Sequence, residues 1–113
     1  MDYKIVTTDD FERAFKQLSK KYHSLIKDYA ILYKELMENP TMGDKISDDV
    51  RKIRMAIASK GKGKSGGARI ISCTVLVEVR FTKIYLLTIY DKSEQENIPK
   101  HIIEHLKKRS GLG

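Results

Sequence analysis

The pattern of hydrophobic and polar positions predicts that the chain begins with a short strand and a helix. Residues 3–7 alternate between the two classes and are rich in β-branched side chains, which is typical of a strand. The next apolar residues recur three and four positions apart, which indicates a helix that starts within residues 7–10. Asp9 and Glu12 have the spacing of a capping box at this start. The apolar face of this helix is formed by Phe11, Ala14, Phe15, Leu18 and Tyr22.

A second helix is predicted to follow almost at once, from a cap at Ser24 to a stop at Asn39 and Pro40. The short connection and the matched apolar faces predict a helical hairpin. The apolar face of the second helix is wider than one contact requires, so part of it could receive a partner protein; the alternative is that all of it packs in the core. This face consists of Leu25, Tyr29, Leu32 and Leu36, widened by Ile26, Tyr33 and Met37.

The second half of the chain has the pattern of three strands and a final helix. After a polar loop over 41–49, residues 50–57 alternate so that Lys52 and Arg54 share one side of a strand. A glycine-rich loop over 59–67 leads to an Ile- and Val-rich run over 68–79, which predicts a buried central strand. A turn over 80–83 and a strand over 84–91 are expected next. The final helix has Pro99 in its first turn and an apolar set of Ile98, Ile102, Ile103 and Leu106.

The order β-α-α-β-β-β-α predicts an α+β fold, in which the N-terminal helical hairpin packs on a small antiparallel β-sheet. A length of 113 residues suits a single domain over residues 1–113 with a core of its own. No apolar run is long enough for a transmembrane helix, and residues 1–8 lack the pattern of a signal peptide. Because the single cysteine, Cys73, cannot form an internal disulfide, the expected location is the cytoplasm.

Positive charge is concentrated in the window Arg51–Val77. The chain has a formal net charge of +7, and this window alone holds seven Lys or Arg residues and no Asp or Glu. Such a patch is typical of proteins that bind nucleic acid or an anionic membrane surface. Here the cations decorate two predicted strands and the loop between them, which indicates a site for a polyanion, and RNA is the polyanion we expect. The cations are Arg51, Lys52, Arg54, Lys60, Lys62, Lys64 and Arg69.

The predicted hairpin of the last two strands brings distant residues to this window. If its turn is centred near Phe81 and Thr82, antiparallel pairing places residues near 69 opposite residues in the low nineties. Arg69, Tyr90 and Lys92 are therefore expected to gather at one end of the sheet, beside the loop that carries Lys60, Lys62 and Lys64. A β-bulge could shift this register by a residue.

Other chemistries find little support in the sequence. The GKS segment at 63–65 has the end of a nucleotide-binding P-loop, but the leading glycine is missing and a strand follows instead of a helix. His101 and His105 have a spacing that can bind zinc, but no suitable third ligand is close, so surface histidines are expected. Cys73 lies within an apolar strand and is expected to be a core residue. We therefore expect no metal and no cofactor.

A cluster of cations and a tyrosine can nevertheless cleave RNA, because RNA supplies its own nucleophile, the 2′-OH. The reaction needs a base for the 2′-OH proton, cations that stabilise charge on the phosphate, and an acid for the leaving 5′ oxygen. A lysine among other cations can serve as the base, since neighbouring positive charges favour its neutral form. Arginine can hold the phosphate through two hydrogen bonds.

The segments RKIR, KGKGKSGGARII and YLLTIYDKSEQENIP, in this order, resemble the RelE/ParE toxin superfamily, in its RelE/HigB-like branch. The order of predicted elements is similar as well. The resemblance implies a RelE-like fold and the toxin of a type II toxin–antitoxin module: a metal-independent, ribosome-dependent mRNA endonuclease (an mRNA interferase) that inhibits translation. The implied partners are a cognate antitoxin, mRNA and ribosomal RNA. Two alternatives remain: a ParE-like inhibitor of DNA gyrase, and a non-catalytic module that binds RNA or a partner protein.

The resemblance also implies roles for individual residues. Arg69 matches the arginine that stabilises the phosphate, and Tyr90 and Lys92 stand where the last strand supplies a base or an acid, so these three are the expected catalytic residues. The sequence departs from the family at Ile71–Cys73, where an aromatic-rich segment often follows the arginine. The expected RNA-binding residues are Lys52, Arg54, Lys60, Lys62 and Lys64.

Overall fold

A five-stranded sheet forms the centre of the protein in the computed structural model, which describes residues 2–113. In chain order the elements are β1 (Asp2–Thr7), α1 (Asp9–Lys21), α2 (Leu25–Glu38), β2 (Asp44–Lys45), β3 (Val50–Met55), β4 (Ala68–Glu78), β5 (Phe81–Asp91) and α3 (Lys100–Arg109). Two single 3-10 turns, Ala58–Lys60 and Lys64–Gly66, lie between β3 and β4. The α+β class is confirmed. None of the helices in the described residues is long and apolar enough to cross a membrane.

The strands are arranged in the order β1-β5-β4-β3-β2. β1 runs parallel to β5, with Asp2 opposite Phe81 and Thr7 opposite Leu86, and the other pairs are antiparallel. The prediction of a wholly antiparallel sheet is therefore wrong for β1, because the alternation of a strand carries no information about its direction. The predicted order also lacked β2. This two-residue strand lies within the expected polar loop and pairs with β3, and it is too short to show any alternation.

Each face of the sheet has its own hydrophobic core. α1 and α2 cover one face, where Phe11 and Leu32 pack with strand residues such as Ile53 and Ile70. α3 covers the other face, where Ile103 packs with Ile71 and others. The two cores follow from the period of two in β3 and β4, since neighbouring residues point to opposite faces. Side chains at positions 52, 54 and 69 thus belong to the face that α3 partly covers.

The helix starts differ from the predicted capping box. Thr8, not Asp9, is the N-cap of α1, and its hydroxyl accepts a hydrogen bond from the Phe11 N–H at 3.1 Å. The same hydroxyl donates to the Leu86 carbonyl at 2.9 Å, so this cap also ties α1 to β5. Ser24 does occupy the N-cap position of α2, but its hydroxyl makes no capping hydrogen bond. Pro99 is likewise the N-cap residue of α3, one position before the first turn.

The long hairpin of β4 and β5 turns two residues earlier than the sequence indicated. Glu78 lies opposite Phe81, so the predicted turn over 80–83 and the start of β5 at 84 are wrong. Two irregularities in the pairing, after Ile71 and after Leu76, shift the register in opposite directions and cancel. As a result Arg69 lies directly opposite Tyr90, within the range that the sequence predicted.

Candidate nucleic-acid interface

One row of side chains crosses the end of the sheet from β3 to β5. Arg54 is the cross-strand partner of Arg69, and Arg69 is the partner of Tyr90. Directly opposite residues have Cβ atoms about 5 Å apart, so the three side chains are neighbours on one face. The pairing of two arginines is unfavourable in itself. Burial lowers the pKa of Arg69, and the charge of Arg54 lowers it further.

A groove with a volume of about 290 Å³ lies beside this row and is lined by Lys52, Arg54 and Lys64. We call it the basic groove. Its other lining residues include Gly43 and Asp44, which come from β2 and the loop before it. Three of the cations that the sequence predicted as RNA-binding therefore line one groove. They come from two segments of the chain, β3 and the glycine-rich loop.

The cations of the basic groove have weak or exposed internal partners. Arg54 lies 3.7 Å from Asp44, and both side chains are more than half exposed. Lys64 contacts Glu35 at 3.1 Å with its own side chain 55% exposed. Lys52 donates to the amide oxygen of Asn97. Exposed ion pairs of this kind contribute less than about 1 kcal/mol, so a phosphate could replace these partners at low cost.

Arg69, by contrast, is buried, with 4% of its surface exposed. Its Nη1 donates to the carbonyls of Lys64 and Ala68, at 2.9 and 3.0 Å, and its Nη2 donates to the carbonyl of Ser65 at 3.1 Å. These bonds hold the 3-10 turn Lys64–Gly66 against the start of β4. In the state described here, Arg69 thus organises the glycine-rich loop and presents little of its guanidinium to an incoming phosphate.

The hydroxyl of Tyr90 is the one fully buried side-chain N or O atom in residues 2–113 that has no hydrogen-bond partner. Burial raises the pKa of Tyr90, and the charge of Arg69 opposes this shift only in part. The phenol therefore keeps its proton at neutral pH. An unpartnered donor of this kind suits a role as an acid or as a hydrogen-bond donor to a ligand better than a role as a base.

Lys60 points away from the basic groove. Its Nζ lies 2.7 Å from Oδ1 of Asp91, and the two side chains are 8% and 0% exposed. The ammonium also lies 5.5 Å from the centre of the Tyr22 ring, within the range of a cation–π contact. The structure therefore does not bring Lys60 together with Lys52, Arg54 and the other cations that we expected to bind RNA.

Asp91, which the sequence analysis did not single out, is the acceptor at the centre of this buried network. Besides Lys60, it accepts hydrogen bonds from the hydroxyl of Tyr22 and from both the N–H and the hydroxyl of Ser93. Burial alone would raise the pKa of Asp91, but these hydrogen bonds, that from Lys60 first, outweigh it and hold the pKa below its usual range. A sequence signal exists in the Asp-Lys-Ser that follows an apolar strand, since aspartate often bonds the N–H two residues on.

The glycine-rich loop is shaped by its glycines as well as by these contacts. Gly61 and Gly63 have positive φ angles of 70° and 62°, which few other residues adopt easily. A Cβ atom on Gly67 would lie 2.1 Å from the Met55 carbonyl, so the chain can only approach β3 this closely without a side chain. Lys62, between Gly61 and Gly63 in this loop, is exposed.

Lys92 lies at the same end of the sheet as Arg69. Its N–H donates to the Gly67 carbonyl at 3.1 Å, which extends the pairing of β4 and β5 by one bond. Arg69, Tyr90 and Lys92 are thus brought to one end of the hairpin, as the sequence predicted.

The remaining candidate chemistry lies outside this region. His101 and His105 are exposed on α3, and the part of the chain described here contains no group of three side chains suited to hold a metal ion. Cys73 is buried in the core under α3. Burial, together with the carboxylate of Asp49, raises the pKa of Cys73 to about 12, so its thiol is not a nucleophile at neutral pH.

Comparison with known proteins supports the fold. No family model matches the sequence. The structure is similar to that of the toxin RelE of E. coli, a double mutant solved in the free state, with a TM-score of 0.56. The similarity covers 96% of this chain and 98% of the RelE chain, at 14% sequence identity. The protein therefore has a RelE-like fold over nearly its whole length.

Proposed function

We propose that the protein is the toxin of a type II toxin–antitoxin module, a cytoplasmic single-domain protein that cleaves mRNA on the ribosome and so inhibits translation. The observation that carries this proposal is the placement of the basic groove. In a RelE-like fold, exposed cations of β3 and of the glycine-rich loop line a groove beside the Arg54–Arg69–Tyr90 row. That arrangement offers contacts to phosphates and a proton donor within one region.

The proposed reaction uses the 2′-OH of the RNA as nucleophile. Its oxygen forms a bond to the adjacent phosphorus, its proton goes to the amine of Lys92, and the bond to the 5′ oxygen breaks as Tyr90 protonates that oxygen. The products are a 2′,3′-cyclic phosphate and a 5′-OH end. Tyr90 is the proposed acid because its phenol is protonated at neutral pH. Its hydroxyl is fully buried in the free protein, so this step requires the site to open around it.

RNA phosphates are proposed to bind Lys52, Arg54, Lys62 and Lys64. Two of the roles expected from the sequence change here. Lys60 is left out, since its ammonium is engaged with Asp91. Arg69 can stabilise the phosphorane charge only if the turn Lys64–Gly66 moves and releases its guanidinium, because two of its hydrogen bonds now go to carbonyls of that turn and a third goes to the carbonyl of Ala68.

The antitoxin is proposed to cover the outer apolar stripe of α2. Ile26, Tyr33 and Met37 lie about one or two turns apart on one side of this helix and are exposed by 68%, 41% and 40%. Exposed apolar stripes of this kind are typical of protein-binding surfaces. A small neighbouring gene that encodes a DNA-binding protein is the partner to test, and a downstream position would fit the proposed HigB-like gene order better than an upstream one.

The antitoxin contact can be tested with charge substitutions. Tyr33→Asp together with Met37→Asp is expected to weaken the complex with the co-expressed antitoxin by at least tenfold while leaving the toxin active. Val79→Asp, which alters an equally apolar and 86% exposed residue at the hairpin tip, is the matched control. If both variants bind the antitoxin as tightly as the wild type, the stripe is not the contact surface.

The enzymatic proposal is tested by adding the purified protein to translating ribosomes and mapping the ends of the reporter mRNA. We expect cleavage within the translated region, with 5′-OH ends that accept phosphate from polynucleotide kinase. Lys92→Ala and Tyr90→Phe are each expected to slow cleavage by about 10²-fold or more. Intact mRNA with inhibited DNA supercoiling by gyrase would instead support the ParE-like alternative.

A second candidate is a non-catalytic RNA-binding module. The burial of Arg69, which leaves the phosphate-stabilising arginine of the proposed mechanism engaged in internal hydrogen bonds, favours it. This candidate predicts tight, salt-dependent binding of RNA and inhibition of translation without any cut in the mRNA. The same assay separates the two, because the cleaved ends are measured apart from protein synthesis.

A further inference from the structure

The strongest feature outside the basic groove is the buried network around Asp91. Its carboxylate is inaccessible to solvent, and each of its oxygens accepts hydrogen bonds from a different part of the chain. Oδ1 receives Lys60 from the start of the glycine-rich loop, and Oδ2 receives Tyr22 from the end of α1. Removing two charges from water is costly, and such pairs often add little net stability. The Lys60–Asp91 pair therefore has its main effect on the position of neighbouring segments, not on stability.

The Lys60–Asp91 pair fixes the position of the segment that follows Lys60. Lys60 directly precedes the segment Gly61–Gly67, which we call the basic loop, and which carries Lys62 and Lys64. Arg69 holds the far end of this loop through the carbonyls of residues 64 and 65. The Lys60–Asp91 pair holds its near end at 2.7 Å. With both ends fixed, the two exposed lysines are presented in one arrangement although the loop is rich in glycine.

The same carboxylate also fixes the chain on the other side of the site. Oδ1 of Asp91 accepts the N–H and the hydroxyl of Ser93, at 2.9 and 2.7 Å, and the Asp91 carbonyl accepts the N–H of Glu94. These bonds form a tight turn directly after β5. Lys92 lies within this turn, between the two bonded residues, so the path of its backbone depends on Asp91.

We infer that Asp91 is a positioning residue, which through Lys60 orders the basic loop and through Ser93 orders Lys92, so that phosphate-binding cations and the proposed base are held in one arrangement. The inference rests on the proposed function for the roles of those lysines. The ordering of the two segments does not depend on the proposed function, because the contacts that order them are present in the free protein.

Two charge-neutral double variants separate the effect of Asp91 on the basic loop from its effect on Lys92. Lys60→Met with Asp91→Asn removes the ion pair, but the amide oxygen of asparagine can still accept the Ser93 N–H, while its NH2 group can donate to the oxygen of the Tyr22 hydroxyl. Lys60→Met with Asp91→Leu removes both the tie to the loop and the turn after β5. Because each variant loses one positive and one negative charge, the net charge and the long-range attraction to RNA are unchanged.

The matched control is Lys21→Met. Lys21 lies 3.7 Å from Asp91 and also contacts Glu94, but its side chain is 51% exposed and it does not reach the basic loop. This variant tests whether loss of any cation near Asp91 is sufficient. Lys60→Arg, with the Asp91 carboxylate intact, is the conservative variant and is expected to restore most of the activity that Lys60→Met loses.

The first measurement is backbone order in the free protein, from amide ¹⁵N relaxation. In both double variants the amides of Gly61–Gly67 are expected to fall from order parameters of about 0.85 toward about 0.6 or below, while the sheet is unaffected. The amides of Lys92 and Ser93 should lose order only with Asp91→Leu. Retained order in a folded double variant would contradict the inference, whatever the protein does to RNA.

The second measurement is cleavage kinetics on translating ribosomes together with binding of single-stranded RNA. The asparagine double variant should raise KM and weaken RNA binding by about tenfold, because two lysine side chains must then be ordered on binding, with kcat and the salt dependence unchanged. The leucine double variant should also lower kcat, by on the order of a hundredfold. Lys21→Met should leave kcat and KM near wild type.

The outcomes distinguish a failure of this inference from a failure of the proposed function on which it rests. Wild-type protein that neither cleaves mRNA nor binds RNA would overturn the proposed function, and the relaxation data would still decide whether Asp91 orders the two segments. Active wild type with double variants that keep wild-type kcat, KM and loop order would overturn the inference alone. A general loss of stability would appear as disorder throughout the sheet, and this too would contradict a positioning role.

Discussion

The cations of the Arg51–Val77 window form two groups that look alike in sequence and differ in the structure. Lys60 and Arg69 are buried and bind acceptors of their own chain, a carboxylate and three carbonyls. Arg54 and Lys64 are 58% and 55% exposed and have only weak partners. The buried group shapes the segment that carries the exposed group. A count of positive charges in the sequence therefore overstates the number of cations that the protein exposes to solvent.

The largest expected effect distinguishes the two arginines that pair across β3 and β4. Arg69→Met should reduce the free energy of unfolding by about 3 kcal/mol, because three carbonyls at the base of the basic loop lose a charged donor. Arg54→Met should change it by less than about 0.5 kcal/mol, since that side chain is exposed. Urea denaturation of both variants measures the difference. Equal effects would show that the two groups are not distinct.

The next effect concerns the buried carboxylate of Asp91, the partner of Lys60. The pKa of Asp91 is lower in the folded protein than in the unfolded chain, so its stabilising contribution is present above the unfolded value of about 4 and is lost as the pH falls below it. The melting temperature of the wild type should therefore drop on acidification from pH 4 toward pH 2. Asp91→Asn should give a lower melting temperature at pH 7 and a shallower acid dependence. Parallel curves for the two proteins would contradict the assignment.

A smaller effect is expected beside α3, where Lys107 contacts Asp49 at 2.9 Å. Asp49 is 42% exposed, so solvent screens the pair, and Lys107→Met should cost no more than about 1 kcal/mol. The hydrogen bond from Lys107 lowers the pKa of Asp49, so this contribution should also fade in acid. Thermal unfolding at pH 7 and pH 3 checks both statements. A loss as large as that of Arg69→Met would show that solvent does not screen this pair.

The smallest effect concerns the reactivity of the Cys73 thiol. Because the pKa of Cys73 is raised to about 12, its thiol should not react measurably with a disulfide reagent at pH 8 in the folded protein, and should react fully in urea. RNA binding should not change the rate, since the thiol lies in the core under α3. Rapid labelling of the native protein would show that this core opens readily.

The sequence predicts what local periodicity and hairpin geometry determine. The helices and the central strands follow from spacing, and the gathering of Arg69, Tyr90 and Lys92 at one end of the sheet follows from the hairpin. The exact pairing of Arg69 with Tyr90 does not, because the turn lies two residues earlier than predicted. The direction of β1 and the existence of β2 carry no such signal.

Burial of individual cations could not be predicted either. Lys60 and Arg69 belong to the same charged window as Arg54, and only the fold shows which acceptors they meet. Asp91 is separated from Lys60 by 31 positions and from Tyr22 by 69, so nothing in their local sequence indicates the contact. Side-chain direction at loop residues depends on such distant partners, and the extent of a binding surface depends on it in turn.

The central claim is that the exposed cations of the basic groove bind RNA while the buried cations do not. It is tested most directly by the salt dependence of binding to single-stranded RNA. Each phosphate contact contributes about 0.7 to the slope of log Kobs against log salt concentration. We predict that Lys52→Ala, Arg54→Ala and Lys64→Ala together reduce the slope by about 2. The charge-neutral pair of Lys60→Met and Asp91→Asn should leave it unchanged. A triple variant with the wild-type slope would contradict the account.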